Sequence, residues 1–234
     1  MSIIQSEVSS TASWSADATQ RMNRMYRWQR HIYDVTRRYY LLGRDHMIAG
    51  LSPAPRARIL EIGCGTGRNL IQAAKSYPEA RFFGLDVSTE MLTSAIEAIE
   101  REGWGDRIKV AHGDATGFDP KHSFGVRSFD HVMISYCLSM IPDWHRVLEV
   151  AVHQLAPGGS LHVVDFGGQQ RLPALARRWL RRWLALFGVQ PCDELERSMR
   201  HFAELNGAQL RFERPFRDYA QYAVLTLPPG PRQG

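Results

Sequence analysis

Three glycines at alternate positions, Gly63, Gly65 and Gly67, follow the apolar run of residues 59–62 and precede a helical pattern. Glycine permits a positive φ angle and lets a ligand contact the backbone, because it has no Cβ. In a parallel sheet, the turn at the carboxyl end of the first strand is where nucleotide ligands bind. The Gly-x-Gly-x-x-Gly pattern of dinucleotide sites is broken by Arg68. The spacing therefore favours a nucleotide-like ligand without a pyrophosphate.

Acidic residues follow the next two apolar runs. Asp86 lies 19 residues beyond Gly67, where a carboxylate accepts hydrogen bonds from both ribose hydroxyls. Asp114 and Ala115 follow the third run, where an adenine amino group is expected. Each acid alone has an ordinary alternative, since Asp86 can cap the following helix and Asp114 can stabilise a turn. The order of these features on three successive strands favours a nucleoside site.

Strand and helix patterns alternate around these motifs, which predicts βαβ units and a parallel sheet. The apolar runs predict strands over residues 58–62, 81–86, 107–111, 129–135 and 160–165. The helical patterns between them cover residues 69–76, 89–101 and 144–155. Residues 172–206 are predicted to be helical, and residues 209–227 to form two more strands around Pro215. The predicted fold is α/β, a doubly wound, Rossmann-like and mostly parallel seven-stranded sheet, with an N-terminal helical lid and a helical insertion before the last two strands.

The length of 234 residues fits a single domain. Its expected parts are a disordered leader (1–20), a helical lid (21–55), the core (56–168), an amphipathic helical cap (169–208), a strand pair (209–227) and a loose tail (228–234). A hydrophobic fraction of 44% and a charged fraction of 23% exclude a disordered or collagen-like chain. No apolar run reaches the ~18 residues of a membrane span, and the N-terminus has no signal-peptide pattern. Three widely spaced cysteines predict neither a metal site nor a disulfide framework, so a cytoplasmic protein is expected.

The glycine motif, the two acids and the strand pattern together resemble the class I S-adenosylmethionine-dependent methyltransferases. The resemblance covers residues 56–168, including the fourth-strand sequence 129–134 (FDHVMI) and the turn 155–159 (LAPGG). It implies S-adenosyl-L-methionine as cofactor and S-adenosyl-L-homocysteine as product. Met91 is implied to pack on adenine, although core packing is an equal alternative. The cofactor-binding residues that the resemblance implies are Glu61, Gly63, Cys64, Gly65, Gly67, Asp86, Val87, Met91, Asp114, Ala115 and Ser135.

Two further segments, 25–45 (MYRWQRHIYDVTRRYYLLGRD) and 134–144 (ISYCLSMIPDW), resemble the bacterial betaine-lipid N-methyltransferases. This resemblance implies that the amine of diacylglyceryl-homoserine is trimethylated to give diacylglyceryl-trimethylhomoserine. The enzyme that makes the homoserine lipid is then an expected partner. The acceptor amine must lose a proton, and the quaternary product suits aromatic faces. Arginines of the lid are suited to the homoserine carboxylate.

On these grounds Tyr33, Tyr136 and His31 are predicted to be catalytic. The predicted substrate-binding residues are Tyr26, Arg37, Arg38, Tyr40 and Trp144. Core packing is the ordinary alternative for every aromatic residue among them, and an isolated histidine is more often structural.

Other functions stay open at this stage. A methyltransferase acting on a quinone or a small metabolite is the main alternative. A nucleic-acid methyltransferase is disfavoured, because residues 135–138 (SYCL) replace the Asn/Asp-Pro-Pro-aromatic motif of enzymes that methylate base amines. A catalytically silent cofactor-binding protein is the non-enzymatic alternative. Neither a nucleic acid nor a metal is expected as a partner.

The charge distribution predicts an anionic neighbour. Of the 29 cationic residues 26 are arginines, a bias that genomic base composition also produces, and residues 171–184 hold five arginines and no acid. In residues 172–187, a helical projection places the apolar residues on one face and Arg177, Arg178, Arg181 and Arg182 on the other. This pattern predicts either a cap that packs on the core or a helix on the anionic inner face of the membrane. The protein is therefore expected to associate peripherally with the membrane.

Overall fold

The computed structural model describes residues 41–186 and 189–230. A seven-stranded sheet in the order β3-β2-β1-β4-β5-β7-β6 forms its centre. Strands β1 to β5 are parallel, while β7 pairs antiparallel with both β5 and β6. The strands are β1 (Arg58–Ile62), β2 (Arg81–Asp86), β3 (Ile108–His112), β4 (Phe129–Ser135), β5 (Leu155–Phe166), β6 (Gln209–Glu213) and β7 (Ala220–Thr226). This is the doubly wound, mostly parallel sheet that the sequence predicts.

Helices cover both faces of the sheet. They are α1 (Arg44–Ala49), α2 (Arg68–Ser76), α3 (Thr89–Arg101), α4 (Pro120–Phe124), α5 (Trp144–His153), α6 (Ala174–Leu186) and α7 (Leu195–Leu205). A 3-10 helix over Leu138–Met140 follows β4, and a kinked turn over Pro215–Asp218 joins β6 to β7. Among the residues described, no helix is long and apolar enough to cross a membrane.

Two apolar clusters hold these layers together. One cluster joins the sheet to α1, α2, α3 and α6, and the other joins it to α4, α5 and α7. Successive residues of β1 alternate between them, since Ile59 lies in the first cluster and Leu60 in the second. A strand buried on both faces is mostly apolar, which explains the largely apolar sequences of β1, β2 and β4. The carboxyl ends of β1 to β5 consequently meet at one edge of the sheet.

Several predicted boundaries differ from the observed ones. Strand β5 begins at Leu155, because Leu155 pairs with Phe129 before a bulge over residues 156–159 and Ser160 pairs with His131 after it. Residues 172–206, predicted to be helical, contain two helices, Ala174–Leu186 and Leu195–Leu205, and residues 189–194 before the second are not helical. Helix α4 was not predicted, since only five residues form it. Shifts of one or two residues occur at α2, β3 and α5.

The apolar face predicted for residues 172–187 packs only in part on the core. Leu180, Trp183 and Leu184 pack on the core, whereas Leu175 and Trp179 are exposed. At about 100° per residue, the eight apolar positions extend around about half of the helix. The side of the helix that carries Leu175 and Trp179 therefore faces outward.

Candidate functional site

The glycine loop joins β1 to α2 at the carboxyl edge of the sheet. Gly63, Gly65 and Gly67 all have left-handed φ angles, of 70°, 53° and 74°. A Cβ at Gly63 would collide with the side chain of Cys137 from the loop after β4. The amides of Gly63 and Cys64 both donate to the carbonyl of Leu85 in β2, at 2.8 and 3.0 Å. The loop is thus held tightly against both neighbouring strands.

Asp86 connects this loop to the start of α3. Its Oδ2 accepts a hydrogen bond from the amide of Gly65 at 2.8 Å, and its Oδ1 accepts one from the amide of Ser88 at 2.9 Å. Ser88 is the residue that caps α3, because its Oγ accepts from the amide of Met91 at 3.3 Å. Asp86 thus holds the glycine loop and the start of α3 together, at the position where the sequence predicts a ribose contact.

Glu61, at the end of β1, is a buried carboxyl group with one unpaired oxygen. Its Oε1 accepts a hydrogen bond from Nδ2 of Asn69 at 2.7 Å. Its Oε2 has no hydrogen-bond partner within residues 41–186 and 189–230. Burial raises the pKa of Glu61 to about 8, although the bond from Asn69 and the nearby Arg44 oppose the rise. Such a group fits a ligand that brings a positive charge, as the methionine part of S-adenosylmethionine does.

The predicted adenine side lies where β2 and β3 end together. Asp86 and His112 are register partners there, and Nε2 of His112 lies 3.1 Å from the carbonyl oxygen of Val87. Met91 is buried in the first turns of α3. Asp114 is exposed, and its Oδ1 accepts from the amide and hydroxyl of Thr116, both at 2.8 Å. Asp114 thus stabilises a turn, the alternative considered for it, while one of its oxygens stays available to a ligand.

Ser135 ends β4, and Tyr136 begins the loop that follows, which lies next to Gly63. Ser135 Oγ is buried and lacks a hydrogen-bond partner in the described part of the chain. The Tyr136 hydroxyl donates to the carbonyl of Leu42, and its ring meets Phe166 edge-on, with centroids 4.7 Å apart. Burial raises the pKa of Tyr136 well above its ordinary value. Tyr136 is therefore neutral near pH 7, and its catalytic role stays a prediction.

Asp165 is a buried acid that the sequence analysis did not select. It lies near the end of β5, where Oδ1 accepts from the amide of Phe166 at 2.7 Å and Oδ2 from the amide of Ser139 at 3.2 Å. Burial raises the pKa of Asp165 to about 6. Its bond to Ser139 fixes the 3-10 helix after β4, so Asp165 positions that loop. An acid at the end of an apolar strand was the only available sequence signal.

The predicted acceptor site is described only in part. Trp144 is half-buried at the start of α5, and its ring stacks on His145 with centroids 3.7 Å apart. Trp144 packs against the second apolar cluster, whereas Tyr136 lies in the first. The other predicted residues lie outside the described residues: Tyr26, His31, Tyr33, Arg37, Arg38 and Tyr40.

A metal centre has no support in this part of the molecule. Within the described ranges, no group of three or more His, Cys, Asp or Glu residues is arranged to hold a metal ion.

Comparison with known proteins agrees with this geometry. Residues 59–159 match the sequence family described as methyltransferase domain. The chain is also similar to the phosphoethanolamine N-methyltransferase 2 of Haemonchus contortus, solved with S-adenosyl-L-methionine, with a TM-score of 0.63 and 18% identity. The match covers 80% of this chain and 52% of that one. The fold is that of a Rossmann-like methyltransferase.

Curated relatives of this chain are named for different acceptors. Demethylmenaquinone methyltransferase of Geobacillus kaustophilus is 30% identical over 140 residues, which are 59% of this chain and 54% of that protein. Trans-aconitate 2-methyltransferase of Streptomyces avermitilis is 32% identical over 131 residues, which are 52% and 47% of the two chains. The chain thus spans about half the length of these relatives. The comparisons agree with a methyltransferase domain over residues 59–159 and with the methyltransferase fold that the sequence predicts.

Proposed function

We propose that this protein transfers a methyl group from S-adenosylmethionine to a quinone or another small organic metabolite. The unpaired oxygen of buried Glu61, beside a glycine loop held by Asp86, is the observation that carries the cofactor assignment. The curated relatives, a quinone methyltransferase and a methyltransferase of a small organic acid, support the acceptor class.

Two residues at the carboxyl edge of the sheet, Glu61 and Asp86, bind different parts of the cofactor. Oε2 of Glu61 accepts hydrogen bonds from the ammonium group, and a charge-assisted bond of this kind is stronger than a neutral one. Asp86 accepts from the ribose hydroxyls while it keeps the glycine loop in place. When bound, S-adenosylmethionine supplies a methyl group on a sulfonium, which is an electrophile. The main task of the protein is then positioning, which contributes up to about 7–11 kcal/mol in well-oriented reactions.

The residues described on the acceptor side favour an acceptor that ionises without a base from the protein. Tyr136 and Phe166 present buried aromatic rings there, at the ends of β4 and β5. The Tyr136 hydroxyl, with its raised pKa, cannot act as a strong base near neutral pH. A hydroquinone or a carboxylic acid suits such a site, because its own ionisation provides the nucleophilic oxygen or activates the ring.

A second candidate acceptor is the amine of diacylglyceryl-homoserine. It rests on the resemblance of residues 25–45 and 134–144 to betaine-lipid N-methyltransferases. Only the second of these segments is fully described. It places Ser135 at the end of β4, Tyr136 in the loop that follows and Trp144 at the start of α5.

One assay distinguishes these acceptors. Purified protein is incubated with labelled S-adenosylmethionine and, separately, with a short-chain demethylated hydroquinone, trans-aconitate and diacylglyceryl-homoserine, and products are identified by mass spectrometry. A single methyl increment on the quinone or the acid supports the proposal, and three increments on the lipid support the second candidate. The Asp86→Ala variant is the negative control. Cofactor binding without transfer to any acceptor would contradict both and favour a silent cofactor-binding protein.

A further inference from the structure

Helix α6 exposes a stripe of large apolar side chains, which we call the Leu-Trp stripe. It consists of Leu175, Trp179 and Leu186, which are 80%, 71% and 77% exposed. At about 100° per residue, these three positions fall within about 40° of one another. Single exposed apolar residues are normal on a protein surface, but an aligned group of them on one helix indicates an interaction site.

The same side of α6 is strongly cationic. Arg178 and Arg182 are exposed beside the Leu-Trp stripe, and residues 171–186 contain no Asp or Glu. Arg181 points to a different side, since its guanidinium bonds Asp193 at 2.7 and 3.1 Å and the carbonyl of Gly168 at 3.3 Å. That bond network attaches α6 to the rest of the protein. The outer arginines are thus available to an external anion while the helix is anchored from the inside.

We propose that the Leu-Trp stripe, with Arg178 and Arg182, docks on the surface of an anionic lipid bilayer. A helix with tryptophan and leucine on an apolar side and arginines on the other side lies in the interface plane, with its apolar residues among the acyl chains. Thirteen residues give α6 a length of about 20 Å, so that it lies along the surface. The arginines are then at the level of the phosphate groups.

The charges favour a bilayer over a second copy of this chain. A symmetric dimer through this side would place Arg178 and Arg182 of both copies together, with no acid on either helix to pair with them. Anionic lipids instead supply the missing negative charge in a plane. Each arginine near such a surface contributes about 1 kcal/mol, which corresponds to about five-fold in affinity.

The inference goes beyond the proposed function, since it concerns where the enzyme is located rather than what it methylates. Vesicle binding is measured without cofactor or acceptor. A failure to bind lipid therefore leaves the methyl-transfer proposal standing, and a failure of methyl transfer leaves membrane docking standing.

The test is co-sedimentation of the full chain with vesicles of phosphatidylcholine alone or of phosphatidylcholine with phosphatidylglycerol, at low and high salt. We expect binding to the anionic vesicles that weakens as salt screens the charges. The Arg178→Gln/Arg182→Gln variant should bind about 25-fold more weakly at low salt. The Leu175→Ser/Trp179→Ser variant should lose binding at both salt concentrations.

Matched control variants come from other exposed positions. Arg81→Gln/Arg127→Gln removes the same charge, and Leu205→Ser removes an apolar side chain that is 67% exposed on α7. Both should bind vesicles like the wild type. Brominated lipids should also quench tryptophan emission in the wild type but not in Trp179→Phe. This difference in quenching would place the Trp179 side chain in the acyl region.

Two results would overturn the inference. The first is equal binding by the wild type, by Arg178→Gln/Arg182→Gln and by Leu175→Ser/Trp179→Ser. The second is a dimer in analytical ultracentrifugation that Leu175→Ser/Trp179→Ser dissociates, with no binding of the wild type to anionic vesicles. That outcome would assign the Leu-Trp stripe to self-association.

Discussion

Asn69 donates a hydrogen bond from Nδ2 to Oε1 of Glu61 across the glycine loop, at 2.7 Å. The bond leaves Oε2 as the buried, unpaired oxygen of the site. Because Asn69 lies in the first turn of α2, the helix that follows the glycines also orients the carboxyl group that precedes them. The glycine loop and Glu61 thus form a single unit. The first prediction concerns the proton of Glu61.

We predict that S-adenosylmethionine binding releases a proton from Glu61. The pKa of Glu61 is about 8 in the free protein, so the group is mostly protonated at pH 6.5. A cationic ligand beside Oε2 favours the carboxylate and lowers that pKa. Affinity should therefore rise with pH between about 5.5 and 7.5. Calorimetry in two buffers of different ionisation enthalpy should detect up to about one released proton per cofactor.

Glu61→Gln is the control for this linkage, since it keeps the shape and an acceptor for Asn69. It should bind the cofactor more weakly and release no proton near pH 6.5. Proton release that is the same in Glu61→Gln and the wild type would refute the assignment of the proton to Glu61.

The second prediction concerns Asp86. Asp86→Ala should weaken S-adenosylmethionine binding by about 2–3 kcal/mol, the scale of lost charge-assisted hydrogen bonds, or roughly 30- to 150-fold. Part of this loss comes from the glycine loop, because Oδ2 also holds the amide of Gly65. Asp119→Ala is the matched control, as it removes a carboxylate that caps α4 by accepting from the amide of Lys121. A folded Asp86→Ala with wild-type affinity would show that the ribose is bound elsewhere.

The third prediction compares two glycines with similar φ angles. Gly63 and Gly103 have φ values of 70° and 74°, but only at Gly63 would a Cβ collide with Cys137. Gly103→Ala should cost about 1–2 kcal/mol of the free energy of unfolding through left-handed strain. Gly63→Ala should cost about 1–3 kcal/mol more through overpacking. Urea unfolding measures both.

A double mutant separates strain from collision at Gly63. Adding Cys137→Ala to Gly63→Ala should recover part of the extra cost, because the colliding sulfur is removed. Equal costs for Gly63→Ala and Gly103→Ala would mean that the contact with Cys137 has no energetic weight.

Local sequence signals were sufficient for the sheet and for the glycine loop. The glycines, the apolar runs and Asp86 each reflect a requirement of the backbone within a few residues, so their positions can be predicted from the sequence alone. The bond between Asp165 in β5 and Ser139 in the 3-10 helix after β4 joins residues 26 positions apart, and no local pattern indicates it. The sequence also left the exposure of Trp179 open, because periodicity shows that a helix has an apolar side but not how much of that side the core covers.

A buried chain of polar groups on β4, β5 and β7 was likewise not predicted from the sequence. His162 Nε2 lies 2.8 Å from Oγ of Ser160, and His162 Nδ1 lies 2.9 Å from the hydroxyl of Tyr222. Ser160 Oγ also lies 2.8 Å from Nδ1 of His131. Burial, with smaller contributions from nearby His131 and Arg211, lowers the pKa of His162 to about 3. His162 is therefore neutral in the folded protein at neutral pH.

The pKa shifts of His162 and Glu61 predict how the free energy of unfolding depends on pH. His162 has a folded pKa of about 3, below its ordinary value of 6.5, so its contribution is complete above pH 6.5 and is lost as the pH falls toward 3. Glu61 has a folded pKa of about 8, above its ordinary value of 4.5, so stability is lost as the pH rises from 4.5 to 8. Each slope is about 1.4 kcal/mol per pH unit at most, and the signs are opposite.

Between pH 4.5 and 6.5 the slopes of His162 and Glu61 oppose each other, and Asp165, whose folded pKa of about 6 lies above its ordinary value of 3.8, adds a loss of stability between pH 3.8 and 6. The free energy of unfolding of each variant is therefore compared with that of the wild type at the same pH. His162→Gln should remove the gain in stability that the wild type shows between pH 3 and 6.5, the acid limb of the curve. Glu61→Gln should remove the alkaline limb, and the exposed His153→Gln should leave the curve unchanged. Urea unfolding at half-unit pH steps measures all four curves. An acid limb that persists in His162→Gln would mean that other groups, and not this buried imidazole, destabilise the fold at low pH.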